Sequence, residues 1–94
     1  MKNAYLYVFT AKDFTRADVA KFLDEMVGVD DWFYSMPNSV FIVGSVPART
    51  LSKRFLERFG NHRHFVTLIS KTAKGGWLPK EHWGRFPKEE PAEK

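Results

Sequence analysis

The sequence predicts an α+β fold: one antiparallel four-stranded sheet with two helices packed on the same face. Three observations carry this. Two segments repeat apolar side chains at helical spacing, and four short segments are apolar or alternating at strand spacing. They follow one another as strand, helix, strand, strand, helix, strand. The chain has 94 residues, 44% of them apolar, which suits one domain and no second.

Ala4–Thr10 is the first expected strand, with Ala4, Leu6 and Val8 on one side and Tyr5, Tyr7 and Phe9 on the other. The aliphatic side is expected to meet the helices, which leaves the three aromatic residues facing away. Thr15 followed by Asp18 makes a capping box. Val19, Phe22, Leu23, Met26 and Val27 then form the apolar stripe of a helix that Gly28 ends. Two extended runs, Asp31–Ser35 and Ser39–Gly44, flank Met36-Pro37-Asn38, whose proline and asparagine suit a hairpin turn. Pro47 and Gly60 bracket a second helix over Ala48–Phe59. Its Ala48, Leu51, Phe55, Leu56 and Phe59 share one arc, and Arg49, Lys53, Arg54 and Arg58 take the other. His64–Lys71 is the last strand. This order, with hairpin-linked middle strands, is the ferredoxin-like plan.

Residues 1–74 make that domain. After it, Gly75-Gly76 reads as a hinge, and Trp77, Leu78, Trp83 and Phe86 as anchors of a strap over residues 75–86. The strap is expected to cover the sheet or a partner chain, with Trp77 and Trp83 buried. Residues 87–94 read as a polar, disordered tail.

Charge is unevenly placed. The net +4 conceals a stretch, residues 49–74, with seven basic side chains against Glu57 alone. Arg49 with Lys53, and Arg54 with Arg58, are like-charge pairs four residues apart, which mildly destabilise a helix unless an anionic partner answers them. Arg63, Lys71 and Lys74 extend the same basic segment. Phosphate backbone is the expected ligand of this surface, more than bases. Tyr5, Tyr7 and Phe9, if uncovered, offer a second surface, either for stacking nucleobases or for a dimer interface shared with Trp77 and Trp83. The third strand, Ser39–Gly44, lacks the aromatic and glycine signature of RNA-recognition modules.

Catalytic signals are sparse. The chain has no cysteine, so thiol catalysis, thiolate zinc and disulfide-linked partners are excluded. There is no P-loop, G-x-S-x-G or H-E-x-x-H. His62 and His64 project to one side of a strand, a spacing able to hold a metal, but lack a carboxylate nearby in sequence. His82 joins them only through the fold. Asp13, after the first strand, is the one catalytic candidate, while Asp30-Asp31 read as turn residues. No cofactor is implied. The opening apolar run is too short to span a membrane and lacks a signal-peptide cleavage pattern, so a cytoplasmic domain without membrane partners is expected.

Tyr5-Leu6-Tyr7-Val8-Phe9, the hairpin from Trp32-Phe33-Tyr34-Ser35 to Val40-Phe41-Ile42-Val43-Gly44-Ser45, the basic second helix and Gly76-Trp77-Leu78 together resemble the SinR-like proteins. Grouped with those small ferredoxin-fold proteins are the VapD toxins and the CRISPR-associated adaptation protein. The likeness covers residues 4–80 in plan and hydrophobic pattern. It implies a homodimer in which sheets or edge strands meet and the segment after the fourth strand completes the partner's surface. In members read as nucleases, an aspartate ending the first strand binds the metal. Here that place is Phe9-Thr10-Ala11, and Asp13 comes later.

The expected function is a non-enzymatic, dimeric interaction module that binds RNA, DNA or a nucleoprotein complex through its basic second helix. Two alternatives stay open. One is a metal-dependent ribonuclease or toxin of the same fold. The other is an accessory or inhibitor protein of phage or mobile-element type that binds a host protein.

Overall fold

The computed structural model describes residues 2–11 and 13–87. Its elements are β1 (Asn3–Phe9), α1 (Arg16–Glu25), β2 (Val29–Met36), β3 (Ser39–Gly44), α2 (Ala48–Phe59), β4 (His64–Ile69) and α3 (Lys80–Trp83). The sheet order is β2-β3-β1-β4, antiparallel at every pairing, so the fold is ferredoxin-like. No helix among the described residues is long and apolar enough to cross a membrane.

The predicted capping box forms at α1: Thr15 Oγ1 accepts from the Asp18 N–H, and the Asp18 carboxylate accepts from the Thr15 N–H. The helix ends sooner than its apolar stripe suggests, at Glu25, and Val27 stands in solvent. Gly28 ends this region as a φ +95° residue that swings the chain into β2. Its carbonyl accepts from the Ser45 N–H at 2.9 Å, and it lies so close to Gly44 that a side chain there would strike it. α2 keeps the predicted bounds, with Leu51 and Phe55 fully buried.

The two faces of β1 are the reverse of the expectation. Tyr5, Tyr7 and Phe9 turn toward the helices and form the main core with Val19, Leu23, Leu51 and Phe55. Tyr7 has no solvent exposure, and its ring stacks on Phe55 with centroids 3.8 Å apart. Ala4 and Leu6 join the opposite cluster, and Val8 is exposed on that same side. β1 lies between β3 and β4 with cover on both faces, so both of its sides are apolar and the alternation does not say which meets the helices. Ring size decides: two short helices leave a deep gap that the aromatic rings fill, whereas small Ala4 sits under the thin C-terminal strap.

That strap covers the other face. Phe86 is buried edge-on against Phe33 and Phe41, and Leu78 and Trp83 pack around the same cluster. The short α3 was not foreseen, nor was the way the strap is fastened. Arg85 donates to both carboxylate oxygens of Asp31 and to the Trp32 carbonyl, and Ser35 hydrogen-bonds His82 Nδ1 at 3.0 Å. Asp30 and Asp31 therefore belong to β2 rather than to a turn. Trp77 contradicts the expectation of burial: it is 85% exposed, and only Trp83 is partly covered. Trp77 follows Gly76, whose φ of +151° carries the chain away from the sheet before Leu78 returns to it. The expected tail, apart from Pro87, lies outside the described residues.

Candidate nucleic-acid interface

α2 presents its basic side because its other side is spent on the core. With Leu51 and Phe55 directed inward, the helical period turns Arg49 and Lys53 into solvent, while Arg58, seven residues after Leu51, is exposed at the margin of the core face. Arg54 is half-buried, and its Nη1 donates to the Val27 carbonyl at 3.0 Å, which ties α2 to the end of α1. Arg58 lies over the rings of Phe22 and Phe59, at 5.8 and 5.6 Å. Arg54, Glu57 and Arg58 share with Phe22, Met26 and Val27 an open groove of about 470 Å³. Arg63 is exposed in the turn between α2 and β4, beside Thr10, Asn61 and His62.

The surface is predominantly basic, with Glu57 the one acidic residue of α2. Among the described residues the ion pairs within 4 Å are Lys2–Asp30 and Arg85–Asp31, so no basic residue of α2 meets a carboxylate, not even Glu57. Arg58 sits in the last turn of α2, where the helix dipole favours a cation. Arg49 sits in the first turn, where the dipole disfavours one, and no acidic residue there offsets it.

The predicted basic set divides into two places. Lys71 and Lys74 come after β4, a strand of six residues that separates them from Arg63 by about 20 Å. Lys74 Nζ donates to the Lys71 carbonyl, and Lys74 lies 5.9 Å from the Phe86 ring. They belong to the start of the strap, not to the helical surface.

Both histidines are engaged inside the fold. His62 Nδ1 faces the Gly60 carbonyl at 2.8 Å, and a carbonyl can only accept, so Nδ1 carries the proton. His62 Nε2 then accepts from the Tyr7 hydroxyl at 2.7 Å. Burial pushes the Tyr7 phenol well above the ordinary tyrosine range, with Tyr34 adding to the shift, so this hydroxyl remains a donor. His64 repeats the pattern, with Nδ1 on the His62 carbonyl and Nε2 accepting from Ser52 Oγ at 2.6 Å. Metal binding at Nε2 would have to break these bonds. Among the described residues no three of His, Asp and Glu come together as metal ligands, and Asp13 is exposed.

Sequence reasoning missed the Ser52–His64 contact, because only the packing of α2 on β4 brings the two together. A hydroxyl beside an imidazole is the start of a nucleophile–base pair. Ser52 lies mid-helix, however, where backbone N–H groups are committed to helical bonds and offer no pair of donors to an oxyanion. The pair therefore works as a clasp between helix and strand. Compared with family models, curated proteins and solved structures, the chain finds no match in any of the three.

Proposed function

We propose that this protein is a non-enzymatic binding module whose α2 surface grips the phosphate backbone of RNA or DNA, free or in a nucleoprotein complex, within the cytoplasm. One observation carries the reading: Arg49 and Lys53 project into solvent from the outer side of α2, and Arg58 is exposed near its C-terminal end, with no carboxylate within ion-pair distance of any of them among the described residues. Such a surface carries self-repulsion that an anionic polymer relieves, releasing counterions as it binds. Arg63 extends it at the C-terminal end of α2. With Tyr5, Tyr7 and Phe9 buried beneath the helices, those rings are not available for stacking on bases, which favours backbone contacts over base readout.

The test is a mobility shift with single- and double-stranded RNA and DNA at low and moderate salt. Binding that weakens steeply with salt and varies little with sequence is the expected result. No shift with any of the four at low salt contradicts the reading. Incubation of RNA with Mg²⁺ or Mn²⁺ separates it from the ribonuclease alternative, where cleavage lost in Asp13→Ala would favour an enzyme. Pull-down from lysate with and without nuclease separates it from direct binding to a host protein.

A further inference from the structure

Leu6 lies on β1, an interior strand with a neighbour on each side, yet it is only half-buried. The strap accounts for this. It meets the sheet through Leu78, Trp83 and Phe86 and leaves a cavity of about 320 Å³ over Leu6, its cross-strand partner Phe41, and Ile69. That volume matches about ten waters of liquid and falls in the range of small-molecule sites.

The walls narrow what fits. Rings dominate them: Phe41 from the sheet, Trp83 and Phe86 from the strap, and Trp77 at the mouth. Trp77 lines the cavity while most of its surface stands in solvent. A Cβ at Gly75 or Gly76 would meet nothing within 4 Å, so no packing prevents the Trp77 ring from lying across a bound molecule. Besides the indole N–H groups of Trp77 and Trp83, the Lys74 ammonium is the one polar side-chain group in the lining, and no acidic side chain joins it. Lys74 donates to the Lys71 carbonyl, lies 5.9 Å from the Phe86 ring and meets no carboxylate among the described residues. An ammonium has three N–H donors, so two remain for a ligand.

We propose that the cavity under the strap binds a small aromatic carboxylate, its ring among Trp77, Trp83 and Phe86 and its carboxylate on Lys74. Aromatic rings favour offset-stacked or edge-on neighbours, and these walls supply them. The carboxylate gives the ammonium an anionic acceptor in a setting shielded by apolar groups, where a charge-assisted hydrogen bond is strong. A nucleobase fits less well, because its ring nitrogens and exocyclic groups would be buried against walls that leave them unpaired. The cavity lies across the sheet from α1 and α2, so this inference does not rest on nucleic-acid binding.

The probe is 1-naphthylacetate, ionised at neutral pH, with its uncharged amide and octanoate as comparisons. In the full-length chain labelled with nitrogen-15, nuclear magnetic resonance follows the indole N–H signals of Trp32, Trp77 and Trp83. Saturable shifts of Trp77 and Trp83 are expected, with Trp32 unmoved because it packs on the helix side of the sheet. The amide should bind about tenfold more weakly, and so should the probe to Lys74→Met, the loss of one charge-assisted hydrogen bond. Trp77→Ala should weaken binding about two- to tenfold, the loss of one aromatic contact. No saturable shift at millimolar probe overturns the inference, as do shifts confined to α2. Equal affinity of the native chain for probe and amide also overturns it, without recourse to any variant. Octanoate binding as tightly as the probe overturns the assignment of an aromatic ligand.

Discussion

Arg85 and Asp31, 54 residues apart in the chain, form a two-point pair in which Nε and Nη2 each donate to one carboxylate oxygen. The pair lies at the surface, yet it fixes the strap that shields Ala4, Phe33, Phe41 and Val43. Replacing Arg85 by Ala is expected to cost about 1 kcal/mol, since solvent screens an exposed pair even when its geometry is good. Truncation after Lys74 removes Phe86 as well and is expected to cost several times more. Thermal melts of both variants check the order; equal melting temperatures for truncated and native chains contradict the strap's role.

The same pair sets an acid dependence. The hydrogen bond from Arg85, aided by its charge, holds the Asp31 carboxyl below the usual aspartate range. A carboxyl depressed in the folded state stabilises the fold above its unfolded pKa and loses that contribution as pH falls through the folded one. The contribution should therefore be intact above about pH 4 and fade below it. In Asp31→Asn this part of the acid response should vanish, as followed by Trp fluorescence between neutral and strongly acid pH. An unchanged acid transition in the variant would show that other carboxylates govern it.

Tyr7 carries two separable contributions. Tyr7→Phe keeps the ring on Phe55 but leaves His62 Nε2 without its donor, a loss of about 1–2 kcal/mol. Tyr7→Ala also opens a cavity and should cost about 3–5 kcal/mol. Urea unfolding of the two variants distinguishes them. If Tyr7→Phe matched the native chain, the His62 contact would contribute nothing measurable.

Gly44 is required by proximity. A Cβ there would meet the Gly28 carbonyl, which cannot yield without moving the loop that leads from α1 into β2. Gly44→Ala is expected to destabilise by about 1–3 kcal/mol, the usual cost of overpacking, as read from its urea midpoint. Gly60→Ala is the useful contrast: it has open space but a φ of +78°, so its cost is backbone strain alone.

Much of this fold was legible because helical and strand periodicities are local. The α2 stripe placed Leu51 and Phe55 inward and Arg49 and Lys53 outward from sequence alone. The faces of β1 were not legible, since Tyr5, Leu6 and Tyr7 are all apolar enough for either layer, and only the helix–sheet gap distinguishes them. Lys71 and Lys74 are close to Arg63 in sequence, yet an intervening strand carries them to the far end of the sheet. Arg85 with Asp31, and Ser52 with His64, join residues through tertiary packing, which no spacing rule reports.

On the proposed function, the anionic partner sits on α2. Fluorescence anisotropy of labelled RNA and DNA across a salt series, with Arg49→Ala/Lys53→Ala compared against Lys71→Ala/Lys74→Ala, tests it most directly. Removing one cation that touches a phosphate should lower the slope of log affinity against log salt by about one unit. Weaker binding and a shallower slope are expected for the α2 variant, with little change for the strap variant. Native affinity and slope in the α2 variant, or weakening confined to the Lys71 and Lys74 variant, would contradict it.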